Sequence, residues 1–148
     1  MNQVEQIMQF STGHWISQML YAFVKNEMGD AFDQQPKSAR AIASTCFLQS
    51  DATYRLLRAL ATIGILKQQD GEPETFELTE TGNLLTRSHP MSQVDKVLLE
   101  AGYEHVLLWT HLAEYLQTGE MAPAKIFGLD NYFGLFESRP GHLEVFGK

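Results

Sequence analysis

Two stretches of this chain decide its fold: Asp51-Ala-Thr-Tyr-Arg-Leu-Leu-Arg-Ala-Leu-Ala-Thr-Ile-Gly-Ile-Leu66, and Thr75-Phe-Glu-Leu-Thr-Glu-Thr-Gly-Asn-Leu-Leu85 after an acidic linker. Asp51 is a residue type that caps a helix N-terminus. Gly64 is the residue type that ends a helix in the left-handed conformation. The apolar residues between them recur at helical spacing and predict one buried stripe, made of Leu56, Leu57, Leu60 and Ile63.

A hairpin is predicted directly after this helix. Residues 65–68 and 75–78 are two short strand candidates, and Asp70-Gly71 between them is a turn dipeptide. Thr79 or Thr81 then begins another helix, which runs to Arg87. A helix followed by a two-stranded wing predicts a winged helix. The fold class is therefore mainly α with a small β-wing.

The segment before the winged helix contains a long apolar helix. We expect it to run from about Gln3 to about Lys25, with an irregularity at Gly13. Ser38 then caps a short helix through Thr45. The long helix is apolar on more than one face and therefore needs covering on two sides. Its second cover is either another subunit or further core of the same chain.

The C-terminal part is predicted to be helical. Ser92 begins a helix whose apolar spacing continues to Leu116, with a bend at Gly102, and residues 119–125 form a loop. An aromatic-rich region at 126–137 includes a short helix, and Pro140 begins the last one. The organisation predicted is 1–36 for N-terminal dimerisation helices, 37–87 for the winged-helix unit and 88–148 for C-terminal helices, within one structural domain.

Charge argues against a nucleic-acid partner. The whole chain of 148 residues carries −7, and residues 37–87 hold six basic and six acidic side chains. Affinity for a duplex depends on neutralising phosphates, and the predicted wing carries acids where a DNA-binding wing carries Lys and Arg. Only Arg55 and Arg58 on the exposed helix face are candidate groove readers, and two such arginines are more often solvated helix residues.

No catalytic or metal-binding constellation is recognisable. The five histidines have no partner at a metal-ligand spacing, and the sequence has no G-x-S-x-G or phosphate-binding glycine loop. His105, four residues before Trp109, fits a hydrogen-bonded core residue. Cys46 is the only cysteine, which excludes an internal disulfide. No membrane-spanning run or secretion signal is present, so we expect a cytoplasmic protein.

Aromatic residues are concentrated in the last quarter of the chain. Such clusters line pockets for flat organic ligands, and they also fill cores. The cluster consists of Phe127, Tyr132, Phe133, Phe136 and Phe146, with Tyr103, Trp15 and Trp109 elsewhere.

Taken in order, these segments resemble the N-terminal domain of the class I S-adenosylmethionine-dependent O-methyltransferases of the caffeate/hydroxyneurosporene type. The resemblance covers nearly the whole chain. It rests on Gly13-His-Trp-Ile-Ser-Gln-Met-Leu-Tyr-Ala-Phe, Ala41-Ile-Ala, Tyr54-Arg-Leu-Leu-Arg-Ala-Leu-Ala-Thr-Ile-Gly-Ile-Leu, Phe76-Glu-Leu-Thr-Glu-Thr-Gly-Asn-Leu-Leu, His105 with Trp109, and the block from Phe127 to Phe136.

The resemblance implies a homodimer of intertwined helices that supplies one wall of the pocket for a small aromatic or polyketide-like acceptor. It implies that a further domain binds S-adenosyl-L-methionine and carries the catalytic histidine, so that this chain alone binds no cofactor and holds no catalytic residue. Gly147 departs from the family pattern, which often has Asn there. The side chains implied to face the acceptor are Trp15, Met19, Trp109, Leu129, Tyr132 and Phe133. For each of them, filling the core is the alternative role.

The residues leave a second class of function open, namely a free-standing winged-helix transcriptional regulator or ligand-sensing module. The resemblance implies methyl transfer to a small-molecule hydroxyl in secondary metabolism for the full-length enzyme. It leaves the activity of this chain alone undecided. The acidic wing favours the methyltransferase interpretation.

Overall fold

A computed structural model describes residues 2–131 and 133–138 of the chain. The described part is mostly helical, with one small three-stranded antiparallel sheet, which confirms the predicted fold class. Its contacts divide it into two compact units, residues 1–97 and residues 98–148. The division into 1–36, 37–87 and 88–148 stays a prediction.

The predicted long helix is two helices, α1 (Gln3–Ser11) and α2 (Gly13–Lys25). The break lies at Thr12, whose backbone φ is −98° and ψ is 3°. The hydroxyl of Thr12 donates to the carbonyl of Met8 at 2.7 Å, and that of Ser11 donates to the carbonyl of Ile7 at 2.8 Å. Hydroxyls that compete for helix carbonyls in this way favour a bend. The irregularity predicted at Gly13 is therefore a break between two helices, one residue before that glycine.

The winged helix begins with α3 (Met28–Ala31), β1 (Lys37–Ser38) and α4 (Ala39–Thr45). The Ser38 hydroxyl accepts the backbone N–H of Ala41, which confirms the predicted cap. Strand β1 was not predicted, because two residues carry no periodicity.

Helix α5 (Ser50–Thr62) is the central helix of the winged helix. Its cap is not Asp51, as predicted, but Gln49, whose side-chain oxygen accepts the backbone N–H of Ala52 at 2.6 Å. The carboxylate of Asp51 lies in the first turn instead, where the helix dipole favours a negative charge. Gly64 ends the segment at φ +79°, as its sequence position predicted.

The wing is the antiparallel pair β2 (Leu66–Gln69) and β3 (Glu72–Leu78), and the sheet order is β1-β3-β2. The first strand, predicted at 65–68, lies one residue later in the chain. The second strand, predicted at 75–78, begins three residues earlier than predicted. Helix α6 (Glu80–Asn83) follows, and the hydroxyl of Thr79 accepts the N–H of Gly82. The helix predicted to run to Arg87 is only this one turn, followed by turns.

The core of the first unit lies between α2, α3, α4, α5 and the sheet. Of the predicted stripe, Leu57 and Leu60 are buried, whereas Leu56 is half-buried and Ile63, at the helix end, is 37% exposed. Gly82 allows α6 to pack closely, since a Cβ there would lie 2.1 Å from the carbonyl oxygen of Ile65. The largest fully buried side chains are Phe23, Val24, Met28, Phe32, Ile42, Leu57, Leu60, Leu66 and Phe76.

The C-terminal helices are shorter than the pattern predicted. They are α7 (Val94–Glu100), α8 (Tyr103–Thr110), α9 (Leu112–Thr118), α10 (Ala122–Phe127) and α11 (Phe133–Ser138).

The bend at Gly102 was predicted, but a second break at His111 was not. The loop predicted at 119–125 ends earlier than predicted, because α10 begins at Ala122. Pro123 lies in the first turn of α10, where no helical hydrogen bond to its nitrogen is needed. The helix predicted from Pro140 lies outside the described residues.

Candidate functional site

Helices α1 and α2 present an apolar surface that nothing in the described structure covers. Helix α1 has no buried residue, and Phe23 and Val24 are the buried residues of α2. Met19 is half-buried. We call the exposed set the N-terminal apolar face: Val4 (73% exposed), Ile7 (65%), Met8 (56%), Phe10 (68%), Trp15 (61%) and Ile16 (40%). Patches of this kind on soluble proteins mark interaction sites.

A cavity of about 370 Å³ lies in the second unit, which we call the Trp109 cavity. The rings of His105 and Trp109 lie nearly parallel, at 18°, with their centroids 6.4 Å apart. Since these residues are four positions apart on α8, they share one face of that helix. The cavity is lined by His105, Leu108, Trp109, His111, Leu112, Tyr115, Met121, Ala122 and Pro123.

A second cavity in this unit has a more polar lining and a volume of about 600 Å³. Two predicted site residues, Leu129 and Phe133, line it together with Asp130, Asn131 and Glu137. Leu129 is half-buried and Phe133 is 57% exposed.

Within the second unit, the predicted acceptor-facing residues line two cavities. Leu129 and Phe133 lie together, whereas Trp109 lines the other cavity of the same unit. Trp15 and Met19 lie on α2 in the first unit, and Tyr132 lies outside the described residues. Sequence reasoning did not single out Tyr115 and Met121. Helical spacing could have indicated Tyr115, because it lies four residues after His111 and residues at that spacing share one helix face.

The first unit contains a polar cavity of about 560 Å³ that holds none of the predicted site residues. Its lining residues include four acidic ones, Asp30, Asp33, Glu77 and Glu80. Asp30 is already engaged, since its Oδ1 accepts the backbone N–H of Arg87 at 2.9 Å. Among the described residues, no group of three His, Cys, Asp or Glu side chains is placed to hold a metal ion.

The winged-helix surface is poor in free positive charge. Arg55 and Arg58 are exposed, and the Arg58 guanidinium lies 5.6 Å from the centre of the Tyr54 ring. Within the wing, residues 66–78, the one basic side chain is Lys67, which pairs with Glu77 at 3.4 Å. This is not the charge pattern that neutralises a phosphate backbone.

No helix within residues 2–131 and 133–138 has the length and apolar character needed to cross a bilayer.

A winged helix preceded by two helices with an exposed apolar face is typical of a domain that associates with another protein surface. The chain belongs to the O-methyltransferase dimerisation domain family, whose model matches residues 8–88.

Known relatives agree with this assignment. The phenazine O-methyltransferase PhzM of Lysobacter antibioticus is 30% identical over 142 residues, which are 96% of this chain and 40% of that protein. The crystal structure of LaPhzM superposes with a TM-score of 0.85 at 29% identity and covers 99% of this chain and 43% of its own. Human N-acetylserotonin methyltransferase, solved in complex with SAM, shares the fold at 22% identity, with a TM-score of 0.82 over 99% of this chain and 44% of its own.

The chain therefore spans about two fifths of the length of the relatives it matches. It corresponds to the dimerisation domain of S-adenosylmethionine-dependent O-methyltransferases, which confirms the family predicted from the sequence. Their catalytic part has no counterpart in these 148 residues.

Proposed function

We infer that this chain forms a homodimer through its N-terminal apolar face and caps the acceptor pocket of a small-molecule O-methyltransferase. The acceptor class is a small aromatic or polyketide-like compound with a hydroxyl group. The protein works in the cytoplasm, in secondary metabolism, without a nucleic-acid or membrane partner. The observation that carries the proposal is the uncovered face of α1 and α2.

Helix α1 has little stability of its own without a cover. It has nine residues, and isolated helices shorter than about 12 residues are marginal in water. Asn2 and Glu5 form a capping box at its start, which stabilises its end but buries nothing. Burying one large apolar side chain contributes about 1.5 to 3 kcal/mol. A second copy that covers Val4, Ile7 and Met8 supplies this stabilisation.

The capping role assigns apolar contacts to the acceptor. The proposed contacts are Trp15, Met19, Trp109, Leu129, Tyr132 and Phe133. Clamping a flat ring between such side chains holds an acceptor oxygen in line with a methyl sulfonium, so it accelerates transfer through orientation. S-adenosyl-L-methionine binds to the full-length enzyme through residues outside this chain. The human relative solved with SAM supports the cofactor assignment.

Substitutions on α1 test the dimer more cleanly than substitutions on α2. The side chains of Met19 and Leu20 are half-buried in the chain itself, so a glutamate there also disturbs the fold. Ile7 is 65% exposed on a helix without buried residues, so Ile7→Glu leaves the chain's own core intact. We expect Ile7→Glu to convert a dimer into a monomer of 16.7 kDa, because a carboxylate is costly in an apolar interface.

Light scattering coupled to size exclusion, at matched micromolar concentrations, measures this outcome. Arg55→Glu is the control, since Arg55 is exposed on α5 and its replacement should leave the mass of the dimer unchanged. Circular dichroism should show that Arg55→Glu keeps the helix content of the unsubstituted chain and that Ile7→Glu loses no more helix than the nine residues of α1. A monomeric unsubstituted chain would contradict the dimer.

A free-standing winged-helix regulator remains the second candidate, and the exposed Arg55 and Arg58 are the observation in its favour. The exposed acids Asp70, Glu72 and Glu74 on the wing oppose it, because they repel a phosphate backbone.

A further inference from the structure

Helix α1 is attached to the rest of the chain mainly at its C-terminal end. All nine of its residues, Gln3–Ser11, are exposed, and none of them lies in the core of the first unit. Its described hydrogen bonds stay within residues 2–14. Helix α2, which follows the break at Thr12, differs because Phe23 and Val24 are buried. The core of the first unit therefore anchors α2 and leaves α1 without a buried residue.

The sequence of α1 does not compensate for this lack of packing. Because the first turn of a helix is costly to form, nine residues in water are mostly unfolded unless another surface covers them. Val4 and Ile7 are β-branched residues of lower helix propensity, and the helix contains no alanine. The capping box of Asn2 and Glu5 favours the first turn, but the last turn has no basic side chain to match the helix dipole. By itself the segment therefore favours the unfolded state.

A second copy of the chain is the partner that fits this helix. Val4, Ile7 and Met8 lie at the spacing of one helical stripe and are 56 to 73% exposed. An apolar stripe of this kind binds in an apolar groove. The N-terminal apolar face also includes Trp15 and Ile16 of α2. The dimerisation-domain family model covers both α2 and the end of α1. Each copy thus offers the other a surface that matches its own.

We propose that α1 folds only when a second copy of the chain covers it, so that folding of this helix and dimerisation are one equilibrium. The proposal rests on the homodimer inferred above and goes further, since it makes residues 3–11 an unfolded arm in the monomer. A segment that folds on binding spends part of the interaction energy on its own ordering. The affinity of the dimer therefore depends on the helix propensity of α1, even at a position that touches no partner.

A pair of substitutions at Gln6 tests this dependence. Gln6 lies two residues from both Val4 and Met8, roughly 200° around the helix from each of them and hence away from the apolar stripe. Glycine in a helix interior lowers the helix equilibrium about four- to fivefold relative to alanine. Because both copies fold α1, we expect the dimer Kd of Gln6→Gly to exceed that of Gln6→Ala by about 15- to 25-fold. Sedimentation over a dilution series from nanomolar to micromolar chain measures both values.

The matched control is the same pair of substitutions at Arg55, which is exposed on α5. Buried Leu57 and Leu60 keep α5 folded in monomer and dimer alike. Arg55→Gly should therefore be less stable to denaturant than Arg55→Ala but have the same Kd. A second measurement is hydrogen exchange in Ile7→Glu. Its amides in residues 3–11 should exchange as in an unfolded peptide, while those in the second half of α2 stay protected.

Equal Kd values for the two Gln6 variants, in a chain that dimerises, would overturn the coupling and leave the dimer intact. Protection of residues 3–11 in a monomeric Ile7→Glu chain would do the same. A chain that stays monomeric at every concentration would overturn the dimer and the coupling together. The failure of the coupling is therefore distinguishable from the failure of the dimer.

Discussion

Phe47 is a residue whose replacement should stabilise the protein. It lies in the turn between α4 and α5, is 96% exposed and has a backbone φ of +56°. The turn is closed by the N–H of Leu48, which donates to the carbonyl of Ala43 at 2.8 Å. A left-handed residue after a helix C-terminus is normally glycine. The bulky ring of Phe47 therefore sits at a strained backbone position without burying apolar surface.

The size of the effect follows from two opposing terms. The left-handed conformation costs an L-residue with a Cβ roughly 1 to 2 kcal/mol. Glycine removes this cost. It also lowers the stability of the folded protein by about 0.5 to 1 kcal/mol, because glycine has more conformational freedom to lose when the chain folds. We expect Phe47→Gly to raise the free energy of unfolding by about 0.5 to 1 kcal/mol. For a chain of this length the corresponding rise in Tm is about 1 to 4 °C.

Chemical denaturation at fixed protein concentration measures the change, since association alters the apparent stability. Phe47→Ala is the matched control: it removes the ring but keeps a Cβ at positive φ, so it should leave the stability nearly unchanged. If Phe47→Gly is less stable than the unsubstituted chain, the reasoning is refuted. That result would show that the ring of Phe47 makes a stabilising contact.

Two further predictions concern the first unit. Gly82→Ala should destabilise it by about 2 to 3 kcal/mol, because the new Cβ would lie 2.1 Å from the carbonyl oxygen of Ile65. Gly13→Ala, where nothing lies within 4 Å, should cost nothing in the same denaturation assay, and equal losses in both variants would contradict the steric explanation. Burial, with a smaller contribution from Glu27, raises the pKa of the Cys46 thiol. Because the thiolate is the reactive form, Cys46 should react with a disulfide reagent more slowly than free cysteine at neutral pH, and at the ordinary rate in denaturant; equal rates in the folded state would disprove this.

Much of the winged helix was predictable because its signals are local. The cap at Ser38 and the left-handed glycine at Gly64 each depend on the backbone of a few neighbouring residues, and both predictions were confirmed. The apolar spacing of α5 placed Leu57 and Leu60 in the core for the same reason. The cap of α5 was predicted wrongly because Asp51 is a preferred cap residue type and Gln49 is not, although the Gln49 side chain accepts the N–H of Ala52.

Features that depend on distant parts of the chain were not predictable. Strand β1 is only two residues long, and it is a strand because Lys37 pairs with Phe76 in β3. The Trp109 cavity likewise exists because α8 and α10, separate in sequence, line the same space. The sequence by itself determined the order of the winged-helix elements, the cap at Ser38, the turn of the wing and the family. Only the tertiary structure decided which apolar residues stay exposed, because exposure depends on what packs against a side chain and not on its spacing along the helix.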